Sequence, residues 1–367
     1  MQDVNYYMKS FQTKMRILNG ERNESDLLDI YEKCISELPT VFQIETTNVC
    51  NMRCEMCPRT TLMKRKIGTM SMDLYEKIID QIEPPSPTTL LKWRRYIDLV
   101  LSKTDYIRSD EDFFNFVIST EALTLHGFGE PILDPHIVKR VKLATDKGLK
   151  TYFSCNPLNM DDALFERLLD AGIGYIKYSL DGINEETLQK FRGKKMSIEE
   201  IYNRINKSVE TIKQGGYKTV LVLTMIKFKS NQDQTEKFLK EWNDKEVFAY
   251  VKSSHNSWYS DEVPAQKQSH YMRSFCEYPF MSMTILYDGT VVPCSLDFDG
   301  ALPLGDSKKN SLKEIWDGEP FRNFREALAR GNIPPNHFCN AQCDLPILGD
   351  VYRNINRKCK IDHEIVI

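Results

Sequence analysis

The chain has 367 residues, of which 41% are hydrophobic and 28% are charged, and its formal net charge at pH 7 is −3. These values are typical of a globular protein and exclude a collagen-like or largely disordered chain. The balance of 49 Lys and Arg residues against 52 Asp and Glu residues gives no basic surface for nucleic acid or anionic lipid. We therefore expect about two domains, with no nucleic-acid or membrane partner.

The sequence also bears on where the protein acts. Residues 1–20 mix Asn, Tyr, Lys and Arg and contain no apolar core of a secretory signal. No apolar run approaches the roughly 18 residues that a membrane-spanning helix needs. We therefore expect a cytoplasmic protein, in which cysteines are metal ligands or catalytic groups rather than disulfides. The ten cysteines are Cys34, Cys50, Cys54, Cys57, Cys155, Cys276, Cys294, Cys339, Cys343 and Cys359.

Strand-like and helix-like segments alternate along the first two thirds of the chain. The predicted strands are 41–45, 122–126, 150–154, 175–180, 218–226 and 247–251. The predicted helices are 71–82, 136–147, 161–171, 198–214 and 233–243, and glycine directly follows three of them. Strands that alternate with helices predict right-handed βαβ units and a parallel sheet.

The chain divides into three predicted regions. Residues 1–40 form an N-terminal helical extension, 41–255 an α/β region with a partial (β/α)6 TIM-like barrel, and 256–367 a small cysteine-rich domain of hairpin and helix. Residues 84–119 interrupt the α/β rhythm with Pro-Pro-Ser-Pro and a charged stretch, and we expect this insertion to cap the barrel mouth. Asp288-Gly289 lies between two β-rich runs and predicts a hairpin.

The first cysteine cluster directly follows the first predicted strand. Cys50, Cys54 and Cys57 have the spacing C-x3-C-x2-C, and three thiolates on one short loop can converge on three irons of a cubane cluster. The fourth iron then stays open to an external ligand, as the open position of a catalytic zinc does. A zinc site completed by a distant fourth ligand is the alternative.

This loop, placed after the first strand of an α/β chain, resembles the radical S-adenosylmethionine (radical SAM) superfamily. The resemblance implies that SAM binds the open iron through its amino and carboxylate groups. It also implies that one electron from the cluster cleaves SAM to methionine and a 5′-deoxyadenosyl radical, which abstracts hydrogen from a substrate. The protein's part is then to position these groups and to exclude water.

The resemblance extends to residues that would bind SAM. His126-Gly127-Phe128-Gly129-Glu130-Pro131 is similar to the family's Gly-Gly-Glu motif, whose glutamate accepts from the SAM ammonium, and a plain glycine-rich turn is the alternative. Arg192 is similar to the family's arginine that pairs with the SAM carboxylate, and a surface arginine is the alternative. Met225 fits a core position equally well. The full set of implied SAM-binding residues is Gly127, Gly129, Glu130, Asn156, Ser179, Asp181, Arg192 and Met225.

A second cysteine group lies in the last quarter of the chain. The G-x4-C spacing that ends at Cys294 and the C-x3-C pair resemble the SPASM/twitch extension of radical SAM enzymes. The resemblance implies one closed auxiliary 4Fe–4S cluster, because the C-x2-C pair of a second auxiliary cluster is absent. A role for Cys359 in place of one of the last two ligands, and a zinc ribbon, are the alternatives. The four expected ligands are Cys276, Cys294, Cys339 and Cys343.

Two substrate classes stay open within the family that the sequence resembles. Such enzymes oxidise, decarboxylate or epimerise sugars, nucleotide sugars and aminocyclitols, or they modify side chains of ribosomally made peptides and proteins. About 40 residues precede the first predicted strand, too few for the peptide-recognition domain that peptide modifiers often carry, so we expect a small polar metabolite. An iron–sulfur electron carrier is the non-enzymatic alternative, although an open three-cysteine site has little use in a carrier.

The remaining expectations concern catalysis and partners. Lys177, Tyr178, His255 and Asp297 are candidate catalytic residues on polarity and position only. The expected cofactors are a SAM-binding 4Fe–4S cluster with three cysteines, an auxiliary 4Fe–4S cluster with four, and SAM itself. The resemblance also implies an electron donor such as flavodoxin or ferredoxin. We therefore expect a radical SAM oxidoreductase similar to dehydrogenases.

Overall fold

The structure is a computed structural model, and it describes residues 35, 38–96, 110–243, 245–254, 276, 278–330, 332–333 and 339. Residues 1–34, 36 and 37 of the predicted N-terminal helical extension lie outside these residues, and Thr40 belongs to the first strand. Cys34, His255, Cys343 and Cys359 also lie outside the described residues.

Nine strands of the described chain form one sheet in the order β6-β5-β4-β3-β2-β1-β7-β8-β9. The strands are β1 (Thr40–Ile44), β2 (Ala122–Thr124), β3 (Lys150–Cys155), β4 (Tyr175–Ser179), β5 (Val220–Lys227), β6 (Phe248–Ser253), β7 (Ser282–Ile285), β8 (Thr290–Val292) and β9 (Gly305–Asp306). Strands β1 to β6 pair in parallel with their sequence neighbours. The first and last of these six strands do not pair, so the sheet is an open, partial barrel. The predicted α/β class with a partial (β/α)6 barrel is confirmed.

Twelve α-helices lie within the described residues. They are α1 (Pro58–Thr61), α2 (Met72–Ile79), α3 (Pro87–Tyr96), α4 (Asp110–Glu121), α5 (Ile137–Asp146), α6 (Asp162–Asp170), α7 (Glu185–Arg192), α8 (Ile198–Gly215), α9 (Thr235–Trp242), α10 (Tyr278–Met281), α11 (Leu312–Trp316) and α12 (Glu319–Ala329). The side chains of Ser71, Asp161 and Ser197, directly before α2, α6 and α8, accept backbone N–H bonds from the first turns of these helices, as N-caps do. Every helix in this part of the chain is too short or too polar to span a bilayer.

The sheet has an outer face covered by helices and an inner face. Alternation along each strand places Phe153, Ile176 and Leu223 on the outer face, where they are fully buried in the main core. On that face the Tyr178 hydroxyl lies 3.1 Å from the Ser208 hydroxyl of α8. The inner face carries a mixture of aromatic and polar side chains. Its described members include Thr124, His126, Tyr152, Ser154, Tyr175, Lys177, Ser179, Val222, Thr224, Tyr250 and Lys252.

Helix α4 lies against the inner face at the starts of the strands. Its Phe114 ring contacts the rings of Tyr152, Tyr175, Phe248 and Tyr250, with centroids 5.2 to 6.5 Å apart. Phe114 and Ile118, one helical turn apart, bury together in this second apolar cluster. The expectation that the insertion caps the barrel mouth is therefore wrong for residues 110–119. Their apolar side chains pack instead on the aromatic side chains at the starts of the strands.

The C-terminal segment continues the same sheet. Strand β7 pairs in parallel with β1, from Thr40 opposite Ser282 to Ile44 opposite Ile285. Strand β8 returns antiparallel to β7 through a tight turn in which Gly289 has a φ of +89°, a value that favours glycine. The hairpin predicted at Asp288-Gly289 is confirmed.

Candidate active site

The first three cysteines lie on the loop that leaves the carboxyl end of β1. Cys54 is buried, while Cys50 and Cys57 are half-buried, and all three are free thiols. Burial first, and then the neighbouring Cys54 and Cys50, raise the pKa of Cys57 to about 12. The three thiols are therefore neighbours on one loop, although no three Cys, His or carboxylate groups of the described chain are drawn together at metal-binding distance.

A glycine in the loop after β2 brings the two loops together. The Glu130 N–H donates to the Val49 carbonyl at 2.8 Å, just ahead of the first cysteine. A Cβ on Gly129 would come within 2.2 Å of the Thr47 carbonyl oxygen and 2.7 Å of the Asn48 Cα. Such distances exclude any other residue without a backbone shift, so Gly129 is required for this close approach.

Glu130 presents one free carboxylate oxygen inside the site. Its Oε2 accepts from the Asn156 N–H at 3.0 Å and from the Asn159 amide at 3.2 Å. Its Oε1 is buried and has no hydrogen-bond partner among the described residues. Burial is the main cause that raises the pKa of Glu130 to about 7, while the bonds from these two asparagines oppose the rise. A buried, unpaired carboxylate oxygen is suited to accept from a cationic donor.

Asp181, Arg192 and Cys54 form a chain of contacts beside the cysteine loop. Arg192 Nη2 lies 2.6 Å from Asp181 Oδ2, and its Nη1 approaches the Cys54 sulfur at 3.9 Å. Asp181 has a φ of +65° and also accepts the Ile226 N–H at 2.7 Å through Oδ1. This carboxylate is therefore occupied in holding Arg192 and strand β5. The Arg192 Nε stays buried without a hydrogen-bond partner among the described residues.

The end of helix α7 docks directly on the cysteine loop. The Glu55 N–H donates to the Phe191 carbonyl at 3.2 Å. Gly193 ends the helix in the left-handed region at φ +64°, and a Cβ there would lie 2.2 Å from the Arg53 carbonyl oxygen. The contact places Arg192, the last helical residue, beside the Cys54 thiol.

The other implied SAM-site residues fall into different places. Ser179 lies on the inner face, where its hydroxyl is 2.8 Å from the Ser154 hydroxyl. Asn156 caps the short 3₁₀ turn Pro157–Asn159, and its amide donates to the Met52 sulfur at 3.2 Å. Met225 is fully buried on the outer face with the main core, so the structure does not bring it to the inner face beside Thr224.

The described catalytic candidates have distinct surroundings. Lys177 lies on the inner face, with its ammonium over the rings of Phe114 and Tyr152 at 5.7 and 5.5 Å. Both carboxylate oxygens of Asp297 accept backbone N–H bonds, from Ala301 at 2.7 Å and from Leu302 at 2.9 Å. Asp297 therefore shapes its own turn, and its pKa is raised mainly by burial. Tyr178 faces the outer core, away from the inner face.

Three of the four expected auxiliary ligands are described. Cys276, Cys294 and Cys339 are half-buried, and Cys276 and Cys339 pack on the main core. Because β8 runs antiparallel to β7 with Val292 opposite Thr284, the chain reaches Cys294 at the end of the hairpin where it enters from Cys276. The topology thus brings these two cysteines to one end of the hairpin.

Sequence reasoning missed two features around the site. His126 packs edge-on against Tyr152 at 5.1 Å, and its Nδ1 accepts the Ser154 N–H at 3.3 Å. Arg65 makes a two-pronged ion pair with Glu45 at 2.6 and 2.7 Å. The His126 position was visible in the motif, but an ion pair across a loop of 20 residues has no local sequence signal.

The residues present fit the cofactors that the sequence resemblance implies. Three neighbouring thiols supply the donor set of an open iron–sulfur cluster. The unpaired Glu130 Oε1 suits the ammonium of SAM, and the unpaired Arg192 Nε belongs to the guanidinium whose Nη1 approaches the Cys54 sulfur. These orphaned buried groups are the structural sign that a polar ligand completes the site.

Comparison with protein families gives two matches that do not overlap. Residues 95–241 match the model described as the radical SAM superfamily. Residues 276–344 match the model described as the SPASM iron–sulfur cluster-binding domain. The first match begins after the three-cysteine loop, and the second includes Cys276, Cys294, Cys339 and Cys343.

The proteins similar to the chain include two curated proteins and one solved structure. It is 26% identical over 159 residues to an AdoMet-dependent heme synthase of Methanosarcina barkeri, and this match covers 43% of the chain but 36% of the length of that relative. It is 19% identical over 310 residues to the S-adenosyl-L-methionine-dependent 2-deoxy-scyllo-inosamine dehydrogenase of Niallia circulans, covering 83% of the chain and 93% of that protein. The structure of Streptococcus suis SuiB bound to precursor peptide SuiA superposes with a TM-score of 0.56 at 13% identity, over 90% of this chain and 76% of that one.

Proposed function

Because the chain belongs to the radical SAM superfamily and carries a SPASM domain, we propose that it is an enzyme that abstracts hydrogen from a small polar metabolite. The metabolite is of the sugar, nucleotide-sugar or aminocyclitol type, and the outcome is oxidation, decarboxylation or epimerisation. In this superfamily, the SAM-binding 4Fe–4S cluster and SAM, when bound, together supply the 5′-deoxyadenosyl radical that abstracts hydrogen from the substrate.

The chain's own residues hold these groups in the proposed site. Cys50, Cys54 and Cys57 bind the first cluster, and Glu130 accepts from the SAM ammonium through its unpaired Oε1. Arg192, fixed by Asp181 against Cys54, offers its guanidinium to the SAM carboxylate. Gly127 and Gly129 allow the loop after β2 to approach the cysteine loop, where a Cβ on either would collide with its neighbours.

The residues of the inner face favour a small metabolite as the substrate. Helix α4 closes the starts of the strands with Phe114 and Ile118, which leaves the polar rows near the SAM residues as the space for a substrate. Ser154, Lys177 and Ser179 are half-buried there, as the wall of a compact polar chamber would be. The match along 93% of a dehydrogenase that acts on 2-deoxy-scyllo-inosamine supports the same substrate class.

The proposal also assigns an auxiliary cluster to the second cysteine set. Cys276, Cys294, Cys339 and Cys343 would close a 4Fe–4S cluster with four thiolates, which has no open iron for a substrate and therefore serves as an electron relay. Cys359 lies beyond the SPASM match and would stand outside that cluster. A small electron-transfer protein of the flavodoxin or ferredoxin type would supply the initiating electron in the cytoplasm.

The test is deuterium transfer into 5′-deoxyadenosine under anaerobic conditions. The reconstituted enzyme is incubated with SAM, a reductant and a panel of deuterated sugars, sugar nucleotides and cyclitols, and the product nucleoside is analysed by mass spectrometry. Transfer from a ring carbon that bears a hydroxyl or amino group is expected. The matched control is the triple variant in which Cys50, Cys54 and Cys57 are alanine, which should form no 5′-deoxyadenosine.

The same assay can contradict the proposal and support the alternative function. A radical SAM maturase would transfer deuterium from a labelled side chain of a peptide or protein and none from any member of the sugar and cyclitol panel. Formation of 5′-deoxyadenosine by the triple cysteine variant would contradict the cluster assignment itself.

A further inference from the structure

Three neighbouring strands carry a row of polar side chains across the inner face of the sheet. Gln43 of β1 is opposite Thr124 of β2 on one side and opposite Thr284 of β7 on the other, and all three residues are buried. Residues in register on adjacent strands point to the same face of a sheet. Thr124 is in turn opposite Tyr152, whose ring contacts Phe114, so the row belongs to the inner face.

The two hydroxyls of this row lack hydrogen-bond partners. The Oγ1 atoms of Thr124 and Thr284 are buried, and neither has a partner within the described chain. The Gln43 amide lies between them and brings one acceptor oxygen and two N–H donors to the same row. Because buried hydroxyls are paired in the large majority of complete sites, this row indicates that a polar ligand binds against it.

His126 continues the row towards the SAM residues. It lies two residues beyond Thr124 on the same face, directly before Gly127 of the Gly-Gly-Glu loop. Its ring is edge-on to Tyr152 at 5.1 Å, and its Nδ1 accepts the Ser154 N–H at 3.3 Å. The proton of the neutral ring therefore lies on Nε2. In the part of the chain that the structure describes, Nε2 makes no hydrogen bond, so it is available to donate to a ligand.

The His126 ring adds a neutral group to the inner face. Burial first, and then the charges of Lys177 and Lys252, lower the pKa of His126 to about 3, so the ring is uncharged at neutral pH. Since the lone pair of Nδ1 is occupied by the Ser154 N–H, the ring acts towards a ligand as a donor and not as a base.

The charged group beside the row is already occupied. Glu45 lies two residues beyond Gln43 on the same face, and its two oxygens accept from the Arg65 guanidinium at 2.6 and 2.7 Å. It also accepts the Phe128 N–H at 3.2 Å. The groups that remain for a ligand are uncharged. We call them the neutral wall, and its members are Thr284, Gln43, Thr124 and His126.

We propose that the neutral wall binds the hydroxyls of an uncharged six-membered ring, a sugar or a cyclitol. Strands lie about 4.8 Å apart, so the row spans about 10 Å, which such a ring can bridge with a hydrogen bond at each side. Each hydroxyl of the ring both donates and accepts, which matches the mixture of donors and acceptors in the wall. This inference rests on the proposed function, since it states how the ring of that metabolite is held. Buried water is the competing occupant, because it would pair the same hydroxyls without binding a substrate.

Calorimetry on the anaerobically reconstituted, SAM-loaded enzyme tests the neutral wall. The probes are scyllo-inositol, glucose and N-acetylglucosamine, and cyclohexanol is the ring that lacks the further hydroxyls. At least one of the three should bind at millimolar concentration, about tenfold or more tightly than cyclohexanol. For the tightest ring, Thr124→Val and His126→Phe should each weaken binding about fivefold, the effect of one lost neutral hydrogen bond. Thr124→Ser keeps the hydroxyl and should keep the affinity.

Thr151→Val is the matched control. The Thr151 Oγ1 is also buried without a hydrogen-bond partner among the described residues, but Thr151 is opposite Leu123 and two residues before Phe153, on the outer face. Thr151→Val and Thr124→Val each remove an unpaired hydroxyl and keep the shape of the side chain. Both should therefore leave the melting temperature of the substrate-free enzyme nearly unchanged, whereas only Thr124→Val should weaken binding of the ring.

Other results overturn the inference. No binding of any of the three rings at millimolar concentration, or unchanged affinity in both Thr124→Val and His126→Phe, would show that the wall does not bind the substrate. A lower melting temperature of Thr124→Val with unchanged affinity would assign its hydroxyl to a buried water. Circular dichroism and iron content identify a variant that fails to fold, in which case Thr284→Val and Gln43→Leu decide.

Deuterium transfer to 5′-deoxyadenosine from the sugar and cyclitol panel is measured separately. Transfer from a ring whose affinity is unchanged in the wall variants would contradict the neutral wall alone. Absence of transfer from every ring would contradict the proposed function as well.

Discussion

The Glu45–Arg65 ion pair connects four segments of the chain, and we expect its loss to destabilise the protein strongly. The Glu45 side chain is fully buried and that of Arg65 is 10% exposed. Glu45 also accepts N–H bonds from Phe128 at 3.2 Å and Tyr287 at 3.3 Å. Arg65 Nε donates to the Phe298 carbonyl at 2.5 Å, four residues beyond Cys294. The pair thus joins β1, the loop after the first cysteines, the Gly-Gly-Glu loop and the SPASM hairpin.

Glu45→Gln removes the charge while keeping the shape and one acceptor. The Arg65 guanidinium then stays buried without its counterion, which costs about 3–5 kcal/mol in comparable buried pairs. At about 2–4 °C per kcal/mol for larger domains, the melting temperature should fall by roughly 6 °C or more. Anaerobic urea unfolding followed by far-ultraviolet circular dichroism measures the loss of free energy of unfolding directly.

The matched control is an exposed ion pair of similar length. Lys139 and Glu76 are 3.0 Å apart, with side chains 59% and 43% exposed. Glu76→Gln should change the free energy of unfolding by about 1 kcal/mol or less, because solvent screens such pairs. If Glu45→Gln destabilised the protein no more than Glu76→Gln does, the assignment of the buried pair as the joint between these segments would be wrong.

Three further outcomes are expected. Gly129→Ala should lower both iron content and SAM affinity, because its Cβ would collide with a backbone carbonyl at 2.2 Å. Gly216→Ala, whose Cβ meets no neighbouring atom and which is strained only by its φ of +63°, is the control and should keep both. Since burial raises the pKa of Glu130 to about 7, its accepting, ionised form becomes dominant as the pH rises, so SAM should bind more tightly at about pH 8 than at about pH 6. Glu130→Gln should bind SAM weakly at both pH values, and a pH dependence that persists in this variant would assign the titration to another group. Cys343→Ala should lose about four of about eight irons while Cys359→Ala keeps them, and the reverse result would transfer the ligand role to Cys359.

The six parallel strands could be predicted from the sequence because local signals agree. Hydrophobic runs mark the buried strands, and glycines at positive φ follow helices α6 and α8 within two residues. The pairing of β7 with β1 could not be predicted, because alternation within a strand shows which face is buried but not which distant strand lies beside it. Helix α7 was missed although Asn184 caps its start and Gly193 its end, since its sequence is mostly polar.

The candidate site could be predicted only where a motif is local. The cysteine loop and Glu130 were found by spacing, and the structure brings them together. The spacing of residues in the sequence does not show the tertiary contacts of the other site residues. It could not show that Arg192 pairs with Asp181, or that Met225 lies on the outer face of β5.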